Sequence, residues 1–322
     1  MEISNITMKS LNNSIKIIFL LLAVSIFQIQ CKEKVTSIYT DQSSHVWIEY
    51  PDNREETRLV AEGAKMKIKG QTAYTVRVQI VVDNRVIADV PSYSMNKKGA
   101  FETIISEFGP AGTKEIIVRG IGNTIVDVPV TIENNPAKMH QRALQYLNVQ
   151  YIDMGGRIRR FLNLSNGPYS FPIKIKIPSN AHVFRKEIED GAKFWEIWAD
   201  IHYKIILVNE SFPDSPLDCY LPGPIGFLYI YPKFNEGGLP GACPHGLGYE
   251  FDAGTINLTK GWYPAVPPVK ADTIAHEIGH ILGLTHYDQN ANMMDGGDYT
   301  LMHPYQIYAL KWIYSHNPGY PL

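Results

Sequence analysis

The apolar residues of this chain follow two different periods, and the change from one to the other falls near residue 135. From His45 to about Glu133 they come in short β-branched runs that partly alternate with polar positions. These are Val46-Trp47-Ile48, Met66-Lys67-Ile68, Tyr74 to Val82, Phe101 to Ile105, Glu115 to Val118 and Ile125 to Val130. Alternation suits half-buried strands, whose successive side chains face opposite ways. Asp83-Asn84, Lys98-Gly99, Gly109-Pro110 and Gly122-Asn123 punctuate the runs as turns. Six or seven short strands here predict a β-sandwich of immunoglobulin-like type over residues 45–134, although the cysteine pair of antibody domains is missing. No cluster of reactive side chains stands out within it, so a spacer or adhesion module is the expected role.

Beyond residue 135 the period lengthens. Leu144, Leu147, Tyr151, Met154, Ile158 and Phe161 recur at three- and four-residue steps, the stripe of an amphipathic helix interrupted at Gly155-Gly156. Arg157, Arg159 and Arg160 fall in its C-terminal half, where they suit the helix dipole. Residues 135–167 therefore read as a linker helix packed between domains. From 168 to 322 strands and helices alternate, which predicts an α/β domain with a mixed twisted sheet. Ile173 to Ile177, Lys204 to Val208, Phe227 to Tyr231 and Thr255 to Thr259 are its strands. Phe184 to Ala199 is a helix with Ile188, Ala192, Trp195 and Trp198 or Ala199 on one face, and Pro304 to His316 is the last helix. Asp272 is placed to cap the helix between them. The whole chain is thus predicted to be α+β and multidomain.

Residues 1–31 read as a signal peptide, and polar residues 32–44 as a tether. Lys9 and Lys16 precede an apolar run, Ile17 to Phe27, broken only by Ser25; Met8 offers a second start. That run is shorter than the about 20 residues a membrane span needs. Cys31 follows it as in bacterial lipoprotein signals, but Gln28 and Gln30 stand where that pattern wants a leucine and a small residue. Lipidation of Cys31 with membrane attachment, simple cleavage and secretion, and a retained anchor all fit this leader. The balance of 30 basic against 32 acidic residues, without a long run of either, gives no nucleic-acid footprint and no polybasic membrane patch. Cys219 and Cys243 either form a disulfide in an exported domain or are two free thiols.

The chemistry concentrates in His276-Glu277-Ile278-Gly279-His280-Ile281-Leu282-Gly283-Leu284-Thr285-His286. On a helix, His276 and His280 lie one above the other and can both reach one zinc ion, at roughly 2.0–2.1 Å. Glu277, one step round, is near the metal yet free to hold a water. Gly283 tolerates positive φ, so the chain can leave the helix and bring back His286 as a third ligand. A fourth position left open distinguishes a catalytic zinc from a structural one.

These residues resemble the metzincin clan of zinc endopeptidases, and within it the matrixins. Met294, in the turn Asn292-Met293-Met294-Asp295, stands eight residues beyond His286, the matrixin spacing for the Met-turn methionine; Met293 is its rival. The order of strand, long helix, strands, zinc helix, Met-turn and final helix matches over residues 168–322. The resemblance implies that His276, His280 and His286 bind zinc and that Glu277 is the general base. It also makes Met294 the structural floor of the site. The activity implied is hydrolysis of a protein or peptide substrate by a zinc-bound water. Since the ligands must be neutral imidazoles, activity should fall as pH drops through about 6.5 or below.

Departures from the family limit what transfers. Gly296 occupies the position where astacins and serralysins have a tyrosine, and Asp295-Gly296 replaces the frequent Tyr-Pro of matrixins. Residues 32–218 contain no cysteine for a cysteine switch. Matrixins usually carry structural calcium (Ca2+) and a second zinc, for which Asp252 and His245 are the candidates, although each taken singly reads first as an ordinary loop residue. The alternative function is an exported surface binding or adhesion lipoprotein whose peptidase domain is degenerate.

Overall fold

The computed structural model describes residues 43–95, 98–151, 157, 160–161, 172–212, 221, 223, 226–233, 241–245, 250–251, 253–259, 267–284, 286, 294, 301–316 and 321. The leader, Met154, Gly155-Gly156, Cys219, Asp252 and Met293 lie outside them. The first half is β apart from one short helix. In order come β1 (His45–Tyr50), the short helix α1 (Glu55–Arg58), β2 (Leu59–Val60), β3 (Met66–Ala73), β4 (Thr75–Val82) and β5 (Arg85–Pro91). Then follow β6 (Tyr93–Met95), β7 (Lys98–Ile105), β8 (Gly112–Gly122) and β9 (Ile125–Asn134). They form two sheets, ordered β1-β3-β7-β6 and β2-β9-β8-β4-β5, with β2–β9 the one parallel pair.

Inward residues of both sheets share one apolar core: Met66, Ile68 and Phe101 from the first, Val78, Ile80, Ile116, Val118 and Ile132 from the second. Asp83 and Asn84 both adopt left-handed backbone, φ 47° and 61°, as a two-residue hairpin turn requires. Ser44, which the tether was expected to include, is buried, and its N–H donates to Thr124 Oγ1 at 2.8 Å.

The expected linker helix is shorter than its sequence stripe. Helix α2 (Pro136–Tyr151) starts at Asn135, whose side chain accepts from the Lys138 N–H at 3.0 Å, with proline at the first helical position. Its buried face is Met139, Ala143, Tyr146 and Leu147, whereas Leu144 is half-buried. Phe161 is not on this helix: it lies in β10 (Arg160–Phe161), which pairs parallel with β15 (Glu250–Phe251). The three- and four-residue steps had carried the stripe past the helix end.

In the second half, β11 (Ile173–Ile177) leads through a 3-10 segment, Ser179–Phe184, into α3 (Arg185–Ala199). Then come β12 (Tyr203–Leu207), β13 (Leu228–Lys233), β14 (Gly241–His245), β16 (Ala253–Thr259), α4 (Pro267–Ile281) and α5 (Pro304–Ser315). The sheet order is β12-β11-β13-β16-β14, parallel except for the antiparallel edge strand β14. Strands β13 and β16 are buried at every position, as central parallel strands covered on both faces are. Asp272 does not cap α4. The helix begins five residues earlier at Pro267-Pro268, where a missing N–H costs nothing.

The halves are packed together through α5. The Tyr146 ring meets Tyr305 edge-on at 5.5 Å, and the Arg142 guanidinium lies 5.3 Å over the same ring. Lys65 reaches across to the end of α3, donating to the Ile197 carbonyl at 2.7 Å and pairing with Asp200 at 2.6 Å. A cation suits that helix end, where carbonyls are left over. Among the described residues no helix is long and apolar enough to cross a membrane.

Candidate metal centre

Helix α4 presents Ile274, Ile278, Ile281 and Leu282 to the core at steps of three and four, which leaves His276 and His280 on its flank, half-buried. Close packing on α3 depends on glycine. A side chain at Gly191 would stand 2.6 Å from the Ala271 carbonyl oxygen and 2.7 Å from Ile274 Cβ.

The helix ends in a Schellman motif. Gly283 takes φ 101°, its N–H donates to the His280 carbonyl at 3.0 Å, and the Leu284 N–H donates to the Gly279 carbonyl at 2.9 Å. The Tyr314 hydroxyl of α5 holds the Leu282 carbonyl at 3.2 Å. This reversal returns His286 to the helix. Its Nε2 stands 2.9 Å from His276 Nε2, which in turn is 3.1 Å from His280 Nε2. Ligand atoms of all three residues lie within 4.8 Å of one another.

The tautomer of His280 follows from its neighbour. Its Nδ1 is 2.9 Å from the Leu284 carbonyl oxygen, which can only accept, so Nδ1 carries the proton and Nε2 offers a lone pair to the cluster. Burial pushes this imidazole down to about 4; the Leu284 bond opposes the shift, while His276 and His286 add to it.

Glu277 is 5% exposed. Burial pushes its carboxyl up to about 7, against the opposing pull of the Ala242 backbone N–H that it accepts from β14. Met294 is fully buried against the helix. A Cβ at Gly279 would meet its Sδ at 2.5 Å and Trp195 Cζ2 at 2.8 Å. Gly279→Ala is therefore expected to cost about 1–2 kcal/mol, overpacking outweighing the better helix propensity of alanine. Urea unfolding of the full chain checks it; an unchanged or raised midpoint would show that the ring and the thioether yield freely.

All five site residues expected from sequence thus lie on or against one helix end. Cys243 is disulfide-bonded, and its partner is outside the described residues. The side chain of His245 is also outside them, as is Asp252, so the calcium expectation has no described geometry. Three contributors had no expectation attached: the Ala242 N–H, the Leu284 carbonyl and Trp195 as a partner of α4. The first two are backbone groups without a side-chain signature, and the helical spacing marks Trp195 only as a residue of a core face.

No protein-family model matches the chain, and no curated protein does. Among solved structures, the fibronectin(III)-like modules of Clostridium thermocellum CbhA align at 18% identity with a TM-score of 0.22. The alignment covers 28% of this chain and 96% of that one.

Proposed function

We propose that this chain is an exported zinc-dependent endopeptidase, with His276, His280 and His286 holding the metal and Glu277 as general base. The observation that carries this is the convergence of three Nε2-bearing rings beside a buried carboxyl poised near neutrality. The donor set fits zinc. Nitrogens around a tetrahedral ion at roughly 2.0–2.1 Å stand about 3.3 Å apart, close to the 2.9 and 3.1 Å separations here. A single proton on His276 Nε2 cannot serve both neighbouring nitrogens, whereas a dication accepts every lone pair. Zinc bound there would act as a Lewis acid and lower the pKa of a water at its open position to about 7. Glu277 is placed to take a proton from the attacking water and deliver it to the leaving amine.

Peptide is the substrate class favoured by the surroundings. Strand β14 is the edge of the described sheet, and it lies beside the helix that carries Glu277. An extended polypeptide can add to such an edge through main-chain hydrogen bonds. A metzincin-like second half is supported by Met294 seated at Gly279, and an immunoglobulin-like first half by two facing sheets. Export, and attachment through a lipidated Cys31, rest on the run Ile17 to Phe27 and the cysteine after it.

The test uses the chain from residue 32 onward. Purified protein should carry one zinc and cleave casein, lose cleavage with phenanthroline, and regain it on adding zinc. Zinc without cleavage of any polypeptide would favour the binding-module alternative. Absence of zinc affinity would overturn the proposal.

A further inference from the structure

Trp195 joins two helices at the place where the zinc proposal needs accuracy. Its ring is 1% exposed, and its indole N–H donates to the Ala275 carbonyl of α4 at 2.7 Å, eighty residues away in sequence. That carbonyl shares a peptide plane with the N–H of His276. Cζ2 of the same ring, two bonds from that N–H, fills the space left by the missing side chain of Gly279, the residue just before His280. One turn earlier, Gly191 of α3 meets Ala271 and Ile274 of α4. Contacts therefore step by four along both helices, from 191 to 195 on α3 and from 271 to 275 to 279 on α4, a fixed register of ridge against groove.

We propose, on the basis of the zinc reading above, that Trp195 is a positioning residue whose indole N–H sets the rotation of α4 and so aims His276 and His280 at one metal. The histidines themselves cannot do this. Each has a flexible side chain, and the Leu284 carbonyl fixes the ring of His280 alone. The Ala275 carbonyl also belongs to the helix ladder, which assigns it the Gly279 N–H. An added indole bond ties that carbonyl to a second helix, so the peptide plane leading into His276 is held from outside α4. Groups beyond the ligands that orient them change metal affinity by about 10–100-fold when removed.

The test replaces Trp195 in the chain from residue 32 onward by 3-benzothienylalanine, which keeps the ring shape and puts sulfur in place of N–H. Trp198, equally buried on α3 and facing Phe194 at 6.0 Å, receives the same replacement as a control. The Trp195 replacement should weaken zinc about tenfold in chelator competition and shift the visible d–d bands of the Co2+-substituted protein. It should lower kcat more than it raises KM. The Trp198 replacement should leave zinc affinity and Co2+ bands as in the parent. Parent-like metal affinity and bands with Trp195 replaced would overturn the positioning role while leaving the zinc reading intact, as would equal weakening by both replacements. A parent chain that takes up neither Zn2+ nor Co2+ would overturn both.

Discussion

Glu277→Gln is expected to reduce polypeptide cleavage by about 10²–10⁴-fold while zinc content stays at one per chain. Glutamine keeps the volume of a side chain that is 5% exposed, and its Oε1 still accepts from the Ala242 N–H, so the helix and the three imidazoles have no reason to move. What is lost is the proton acceptor. The same carboxyl decides the pH profile. Burial holds it up to about 7, whereas burial holds the His280 imidazole down to about 4. Of these two groups it is Glu277 that takes a proton first on acidification. A dication beside the carboxyl lowers its pKa, so the acid limb of kcat/KM should lie at or below about 7. Measurement of kcat/KM from pH 5 to 8.5, with zinc analysed at each point, checks both parts. Cleavage by Glu277→Gln within threefold of the parent would remove Glu277 from the mechanism.

The site was more legible in the sequence than the elements around it, for a physical reason. Positive φ at Gly283 and the four-residue spacing of His276 and His280 are demands that only certain residues meet, so they leave marks. Strand β5 leaves few, because as an outer strand most of its side chains are exposed or half-exposed and no buried period develops. Strand β14 was hidden among turn formers, since an edge strand tolerates Gly241 and Pro244. The Ala242 N–H and the Leu284 carbonyl depend on backbone alone, and any residue supplies those. Asp272 misled because capping residues mark a helix start only when nothing else starts the helix sooner, and Pro267 does.

A buried histidine likewise has no mark in sequence, and His303 carries the second large effect. It precedes α5 at the contact between the two halves, fully buried and stacked on Tyr305 at 5.5 Å, and among the described residues neither ring nitrogen has a hydrogen-bond partner. Burial pushes its pKa down to about 4; Arg54 and Arg142 add to this and Asp52 opposes it. The unfolded chain protonates this ring below about 6.5, the folded chain only near 4, so between those values the unfolded state binds one proton more.

Stability from this group is therefore full above about 6.5 and is lost as pH falls, by about 3 kcal/mol at pH 4. Glu277 in metal-free protein runs the other way: with its carboxyl raised, its contribution is present below about 4.5 and is lost as pH rises toward 7. The difference between parent and His303→Phe at each pH cancels that term. Phenylalanine keeps the stack on Tyr305 and removes two unpartnered buried nitrogens, so at pH 7.5 the variant should be no less stable than the parent. Urea unfolding at pH 7.5, 6, 5 and 4.5 should then show the variant losing less stability with each step into acid. Equal losses in both chains would mean that His303 is not held neutral between the two halves.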